Sequence, residues 1–101
     1  MTVEVRIYTM NPGKLDDFVE IFKNDIMPTS ASFGVRIHAA WLNRADNEFV
    51  WIRSYDNDEV LEKYMTSPER AVYSPKSQLC IESTAVRTVE SVLGDLPVAN
   101  G

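Results

Sequence analysis

Val3-Glu4-Val5-Arg6-Ile7-Tyr8 alternates aliphatic residues with charged or aromatic ones and runs on through Thr9-Met10 into Asn11-Pro12-Gly13. A period of two is the pattern of a strand with two chemically different faces, so a first strand is predicted over residues 2–10. Asn11 followed by Pro12 suits a helix start, with Asn as the N-cap and Pro at the first helical position, where its missing N–H costs nothing. Leu15, Phe18, Val19, Phe22 and Ile26 then form one apolar stripe, opposite Asp16, Asp17, Glu20, Lys23 and Asn24. The first helix is expected to run from residue 12 to the neighbourhood of Pro28.

Two further extended runs follow, 35–43 and 48–55, joined by Arg44-Ala45-Asp46-Asn47 as an antiparallel hairpin. Asp56 to Glu59 has capping-box spacing, and Val60, Leu61, Tyr64 and Met65 give a second helix its buried stripe. Ser67-Pro68 and Ser74-Pro75 repeat the cap-then-proline signature, so short helical turns are expected between 68 and 80. A fourth strand is expected over 84–92, rich in β-branched residues. The order β-α-β-β-α-β is the ferredoxin-like α+β arrangement: a four-stranded antiparallel sheet with both helices on one face. Residues 1–93 form one domain and 94–101 a tail that frays or docks on a partner.

The composition narrows the function classes. The chain has 101 residues and a net charge of -5, with the excess acid spread over both halves, so neither nucleic acid nor an anionic membrane is an expected partner. No run of residues reaches the ~20 apolar positions of a membrane span, and no leader-like start is seen, which makes cytoplasm the expected location. A single cysteine, Cys80, and a single histidine, His38, argue against disulfides and multi-ligand metal sites, so no metal is expected. Glycine-rich phosphate loops and nucleophile motifs are missing, which removes kinase, hydrolase and dinucleotide oxidoreductase readings.

With Val3, Val5, Ile7, Val50 and Ile52 under the helices, the pleat sends Glu4, Arg6, Tyr8, Met10, Phe49, Trp51, Arg53 and Tyr55 to the uncovered face. Such a face is too aromatic to leave in water and too charged to bury unpaired. A second subunit stacked against it would enclose an amphipathic cavity. Setting Ile37 on the helix side places His38 in that cavity.

Glu4-Val5-Arg6-Ile7-Tyr8-Thr9-Met10, Pro12-Gly13-Lys14-Leu15, Ala40-Trp41, Asn47-Glu48-Phe49-Val50-Trp51-Ile52-Arg53-Ser54-Tyr55 and Ser67-Pro68-Glu69 stand in an order that resembles the NIPSNAP family across nearly the whole chain. This chain has Arg70 where that pattern usually continues with an aromatic. The resemblance implies a dimeric α+β barrel, in which two ferredoxin-like subunits pair their sheets as a homodimer around a central cavity.

Within that frame His38 is the candidate acid or base, histidine being the side chain that exchanges protons near neutrality. Tyr8 and Tyr55 are candidate donors to a developing oxyanion. Arg6 and Arg53 are candidate anion holders, Trp51 a stacking surface, and Glu90 with Glu4 a countercharge in the ligand site. Their structural alternatives are a charge network fixing the dimer, with the aromatics as core. Cys80 reads as a small buried hydrophobe. One axial histidine would suffice for heme, yet nothing else in the sequence asks for it, and no cofactor is expected. Two functions remain open: a cofactor-independent isomerase, cyclase or monooxygenase acting on a small planar anionic or enolisable metabolite, and a non-catalytic metabolite-binding or interaction module.

Overall fold

A computed structural model describes all 101 residues. Its elements are β1 (Thr2–Met10), α1 (Leu15–Ile21), a π-helical stretch (Phe22–Ile26), α2 (Met27–Ser32), β2 (Arg36–Asn43), β3 (Glu48–Tyr55), α3 (Asp58–Met65), α4 (Pro68–Cys80) and β4 (Ile81–Val89). The strands form one antiparallel sheet in the order β2-β3-β1-β4. The ferredoxin-like α+β reading holds.

Local chemistry accounts for several boundaries that differ from the expected ones. Asn11-Pro12-Gly13-Lys14 closes as a turn, with Lys14 N–H donating to Asn11 O at 3.1 Å and Gly13 at φ +75°, so α1 starts only at Leu15. The Asn11 side chain donates instead to Leu79 O at 2.9 Å. The first helix passes through Pro28 to Ser32, because the π-helical stretch shifts the bonding: Met27 N–H reaches back five residues to Phe22 O. Asn57, one residue past the expected cap, accepts from Val60 N–H at 3.0 Å. Residues 68–80 form one helix that carries Pro75 inside it rather than separate turns, and it runs directly into β4, which begins three residues early.

The largest correction concerns the faces of the sheet. α1 and its π-helical extension lie on the face bearing Tyr8, Met10, Phe49 and Trp51, not on the face bearing Val5, Ile7, Val50 and Ile52. Phe18 is fully buried, its ring centroid 5.0 Å from Phe49 and 5.6 Å from Tyr8, while Phe22 stands 4.7 Å from Phe49 and 5.2 Å from Trp51. The edge-to-face crossings explain the choice: large rings from sheet and helix fill the space between the layers, which short aliphatics would leave open. The centre of the outward face is then aliphatic, with Arg87 beside Val5. Register places Val5 beside Ile52 and Ile7 beside Val50, with Ala39, Trp41 and Ala85 on the same side, and Trp41 is 54% exposed.

The tail docks on its own chain. Ala99 N–H donates to Ile37 O at 2.8 Å, and the Asn100 amide accepts from Ile37 N–H and donates to Met27 O and Val35 O. It thus covers part of the edge strand β2.

Phe18→Ala should cost about 3–5 kcal/mol in urea unfolding, as truncation of a buried aromatic does. A loss under about 1 kcal/mol would mean that the helices do not pack on the aromatic face.

Candidate functional site

Glu4 and Arg53 are direct cross-strand partners on β1 and β3, and Arg6 lies two residues further along the same face. Arg53 Nε donates to Glu4 Oε1 at 2.7 Å, Arg6 Nη1 donates to the same oxygen at 3.0 Å, and Tyr55 O–H donates to Oε2 at 3.1 Å. One carboxylate therefore serves two guanidiniums. Burial works against the charge on Glu4, but the Arg53 bond and charge, then Arg6 and Tyr55, outweigh it and hold the carboxyl below the ordinary glutamate range. Burial, followed by the bond to Glu4, pushes the Tyr55 phenol up, so Tyr55 keeps its proton.

The guanidiniums also lie at cation–π distance from aromatic rings. Arg53 lies 5.7 Å from the Trp51 ring and 5.9 Å from Tyr55, and Arg6 lies 5.6 Å from Tyr8 and 5.8 Å from Trp51. Arg6 Nε donates to the Tyr8 hydroxyl oxygen at 3.0 Å, which leaves the hydroxyl hydrogen free to donate elsewhere.

These groups wall a cavity of about 120 Å³ between the sheet and the helices of one chain. Arg6, Tyr8, Trp51 and Arg53 come from the sheet, Tyr64 from α3, and Tyr73 and Ser77 from α4. Tyr64 and Tyr73 share a hydroxyl hydrogen bond of 2.6 Å, and burial together with that bond drives the Tyr73 phenol well above the ordinary tyrosine range. Arg70 stands at the wall 5.9 Å from the Tyr64 ring, with Nη1 donating to Met65 O at 3.3 Å.

Four of the expected site residues are thus brought together: Arg6, Tyr8, Trp51 and Arg53. Tyr55 sits behind them with its hydroxyl given to Glu4. His38 is elsewhere. Ile37 keeps the helix side and His38, at a register slip between Ile37 and Ala39, stands on the uncovered face as expected, but the arginines and aromatics lie on the other face, under the helices. Its Nδ1 lies 2.7 Å from Pro97 O and its Nε2 2.7 Å from Ser54 Oγ, and it borders a separate hollow of about 260 Å³ beneath the tail. Glu90 lies at that same hollow, exposed, with no bond to either arginine. The arginines' countercharge is Glu4 alone. Cys80 is buried, its thiol pushed up by burial and then by Asp17. No three His, Cys, Asp or Glu side chains stand close enough to hold a metal ion.

Sequence reasoning missed Tyr64, Tyr73, Ser77 and Arg70 as wall residues. Tyr64 read as an ordinary helix stripe, and α4 read as broken turns with no definite face. Arg70, standing where the family pattern usually carries an aromatic, was the one available signal.

Glu4 predicts an acid-side effect. A carboxyl whose folded value is lowered contributes stability that is complete above its ordinary value of 4.5 and is lost as pH falls through the lower folded value. Melting temperature between about pH 5 and pH 2 should therefore fall less steeply in Glu4→Gln than in the parent. At neutral pH Glu4→Gln should cost about 3–5 kcal/mol, because it leaves the buried Arg53 and Arg6 guanidiniums without a countercharge, whereas Arg53→Ala should cost less, since Arg6 and Tyr55 still hold Glu4. Parallel acid limbs for parent and Glu4→Gln would show that the pair does not form.

No family model matches the chain, and no curated protein matches it. Solved structures do. A NIPSNAP domain protein from Burkholderia xenovorans is 20% identical with a TM-score of 0.79, the match covering 94% of this chain and 99% of that one. A NIPSNAP family protein from Agrobacterium tumefaciens is 17% identical at a TM-score of 0.79, over 88% and 90% of the two chains. A putative antibiotic biosynthesis monooxygenase from Bacteroides thetaiotaomicron is 13% identical at a TM-score of 0.78, over 95% and 93%. The chain has the α+β fold shared by NIPSNAP domain proteins and by structures named as antibiotic biosynthesis monooxygenases.

Proposed function

We propose that the cavity between sheet and helices binds a small, planar, anionic or enolisable metabolite. The observation that carries this reading is the charge count of its wall: Arg6, Arg53 and Arg70 line it, and the single carboxylate beside them, Glu4, is shared by Arg6 and Arg53, which leaves positive charge uncompensated in a partly enclosed aromatic space. A bound anion completes the pairing. Tyr8 adds a hydroxyl whose oxygen already accepts from Arg6, and this polarises the O–H towards donation to a ligand oxygen.

The reaction such a wall serves best is one in which negative charge collects on a substrate oxygen, as in cofactor-independent isomerisation, cyclisation or oxygenation. Monooxygenase is also the class in which two of the solved neighbours are named. The proton-bearing groups of the wall are phenols, hydroxyls and guanidiniums, so the substrate would enter already ionised or readily enolised. That same inventory favours the second reading, a non-catalytic metabolite-binding module, because none of those groups is an efficient base at neutral pH.

We also propose that the outward face of the sheet meets a second copy of the chain. Val5, Ile7, Val50, Ile52 and Trp41 form a contiguous aliphatic and indole surface that no element of this chain covers. In a homodimer of this kind each subunit keeps its own cavity, and the interface should bury more than about 1,000 Å² in total.

Light scattering at micromolar concentration should give twice the chain mass, and Val50→Lys should give a folded monomer or a marked loss of stability. A monomeric parent would remove the homodimer. Thermal-shift screening should show stabilisation by small planar anions over their neutral analogues. His38→Gln should leave that response unchanged, since the imidazole lies outside the cavity. Equal stabilisation by neutral analogues would remove the anion-binding reading.

A further inference from the structure

The cavity reading can be carried to a ligand class, and the following rests on that reading. Arg53 is 5% exposed, yet only its Nε is bonded within the chain. Its Nη1 and Nη2 hydrogens meet no acceptor. They are also not sealed off: the buried side-chain atoms without any partner are Ser30 Oγ and Trp51 Nε1 alone, so the Arg53 Nη atoms have open space against them, and Arg53 lines the cavity. A buried guanidinium thus presents an unused, planar pair of donor groups to the cavity. Its plane is set by the bond to Glu4 and by the Trp51 ring 5.7 Å away.

We propose that this cavity is a monocarboxylate site, in which the two oxygens of a compact, flat carboxylate lie against Arg53 Nη1 and Nη2 while its body lies among the aromatic side chains. Three features select this class. The guanidinium fork matches the two coplanar oxygens of a carboxylate, and its geometry favours a bidentate pair. A carboxylate and its conjugated body are flat and follow the rings of the wall, whereas a phosphate is tetrahedral and has no flat shape to do so. The volume of about 120 Å³ equals roughly four water molecules of liquid and falls below the ~300 Å³ at which drug-sized pockets begin, so the ligand is short.

The test uses the whole chain with crotonate, its neutral isostere crotonamide, and inorganic phosphate, followed by 1H–15N NMR. Crotonate should bind at least about tenfold more tightly than either alternative, the margin expected of a charge-assisted bidentate pair. Arg53→Lys keeps the charge but removes the fork, and should weaken crotonate several-fold while leaving crotonamide unchanged. The comparison of the three probes on the parent protein decides the proposal even if that variant does not fold. Phosphate binding as tightly as crotonate would overturn the carboxylate assignment, as would equal binding of crotonamide, which would leave a pocket without this selectivity. If neither crotonate nor crotonamide perturbs a residue of the cavity wall, the pocket reading itself fails together with the proposal.

Discussion

A single carboxylate organises the interior of this chain. Glu4 on β1 accepts from Arg53 on β3 and from Arg6 on its own strand, with Tyr55 on its second oxygen, and all four side chains lie between the sheet and the helices. Burying an arginine without a partner would cost several kcal/mol. Burying two around one acid is tolerable because the guanidiniums also lie at cation–π distance from Trp51, Tyr8 and Tyr55, and because a cavity beside them leaves room for a further anion. These charges are paired inside the subunit, on the face that the helices cover, and the cavity beside them is thereby separated from the outer surface.

That separation gives the two faces different physical tasks. The inner face combines charge, aromatic rings and a small cavity. The centre of the outer face is built from Val5, Ile7, Val50 and Ile52 at ordinary strand spacing, with Trp41 protruding, while polar side chains such as Arg87, Arg36 and Glu48 stand around it. A homodimer formed through it would stabilise a chain whose own core is small without drawing on the cavity residues. The tail adds a local device of its own, tying β2 to α2 through Asn100 and holding His38 against Pro97.

The strands were legible because alternation survives in the sequence: Val3 to Met10 and Glu48 to Tyr55 read as extended, with the hairpin between the middle strands, and the structure has them there. Alternation says nothing, however, about which side of a strand meets the helices when both sides are apolar enough to be buried. The deciding fact was the size of Phe18 and Phe22, which need rings rather than valines across from them, and this lies in packing between elements far apart in sequence. Arg6, Tyr8, Trp51 and Arg53 were read as neighbours, and the structure brings them together, because these share a strand face whichever way it points. His38 stands on the uncovered face opposite Ile37, as alternation expects, and bonds Ser54 there; it is parted from the arginines because their face lies under the helices, while the one-residue bulge, which leaves no mark in a hydrophobic pattern, turns Ala39 and Trp41 outward. Helix continuity through Pro28 and Pro75 was hidden for a related reason, since proline signals a break unless neighbouring turns rearrange around it.

The two tryptophans provide the most direct test, because Trp51 belongs to the cavity wall and Trp41 to the outer face. Their indole N–H resonances should respond independently in a 1H–15N spectrum. A small carboxylate should shift the Trp51 resonance and leave Trp41 in place, while dilution through subunit dissociation should shift Trp41 and leave Trp51. A carboxylate that shifts Trp41, or a dilution that exposes Trp51, would place the charged face at the subunit interface and contradict the account.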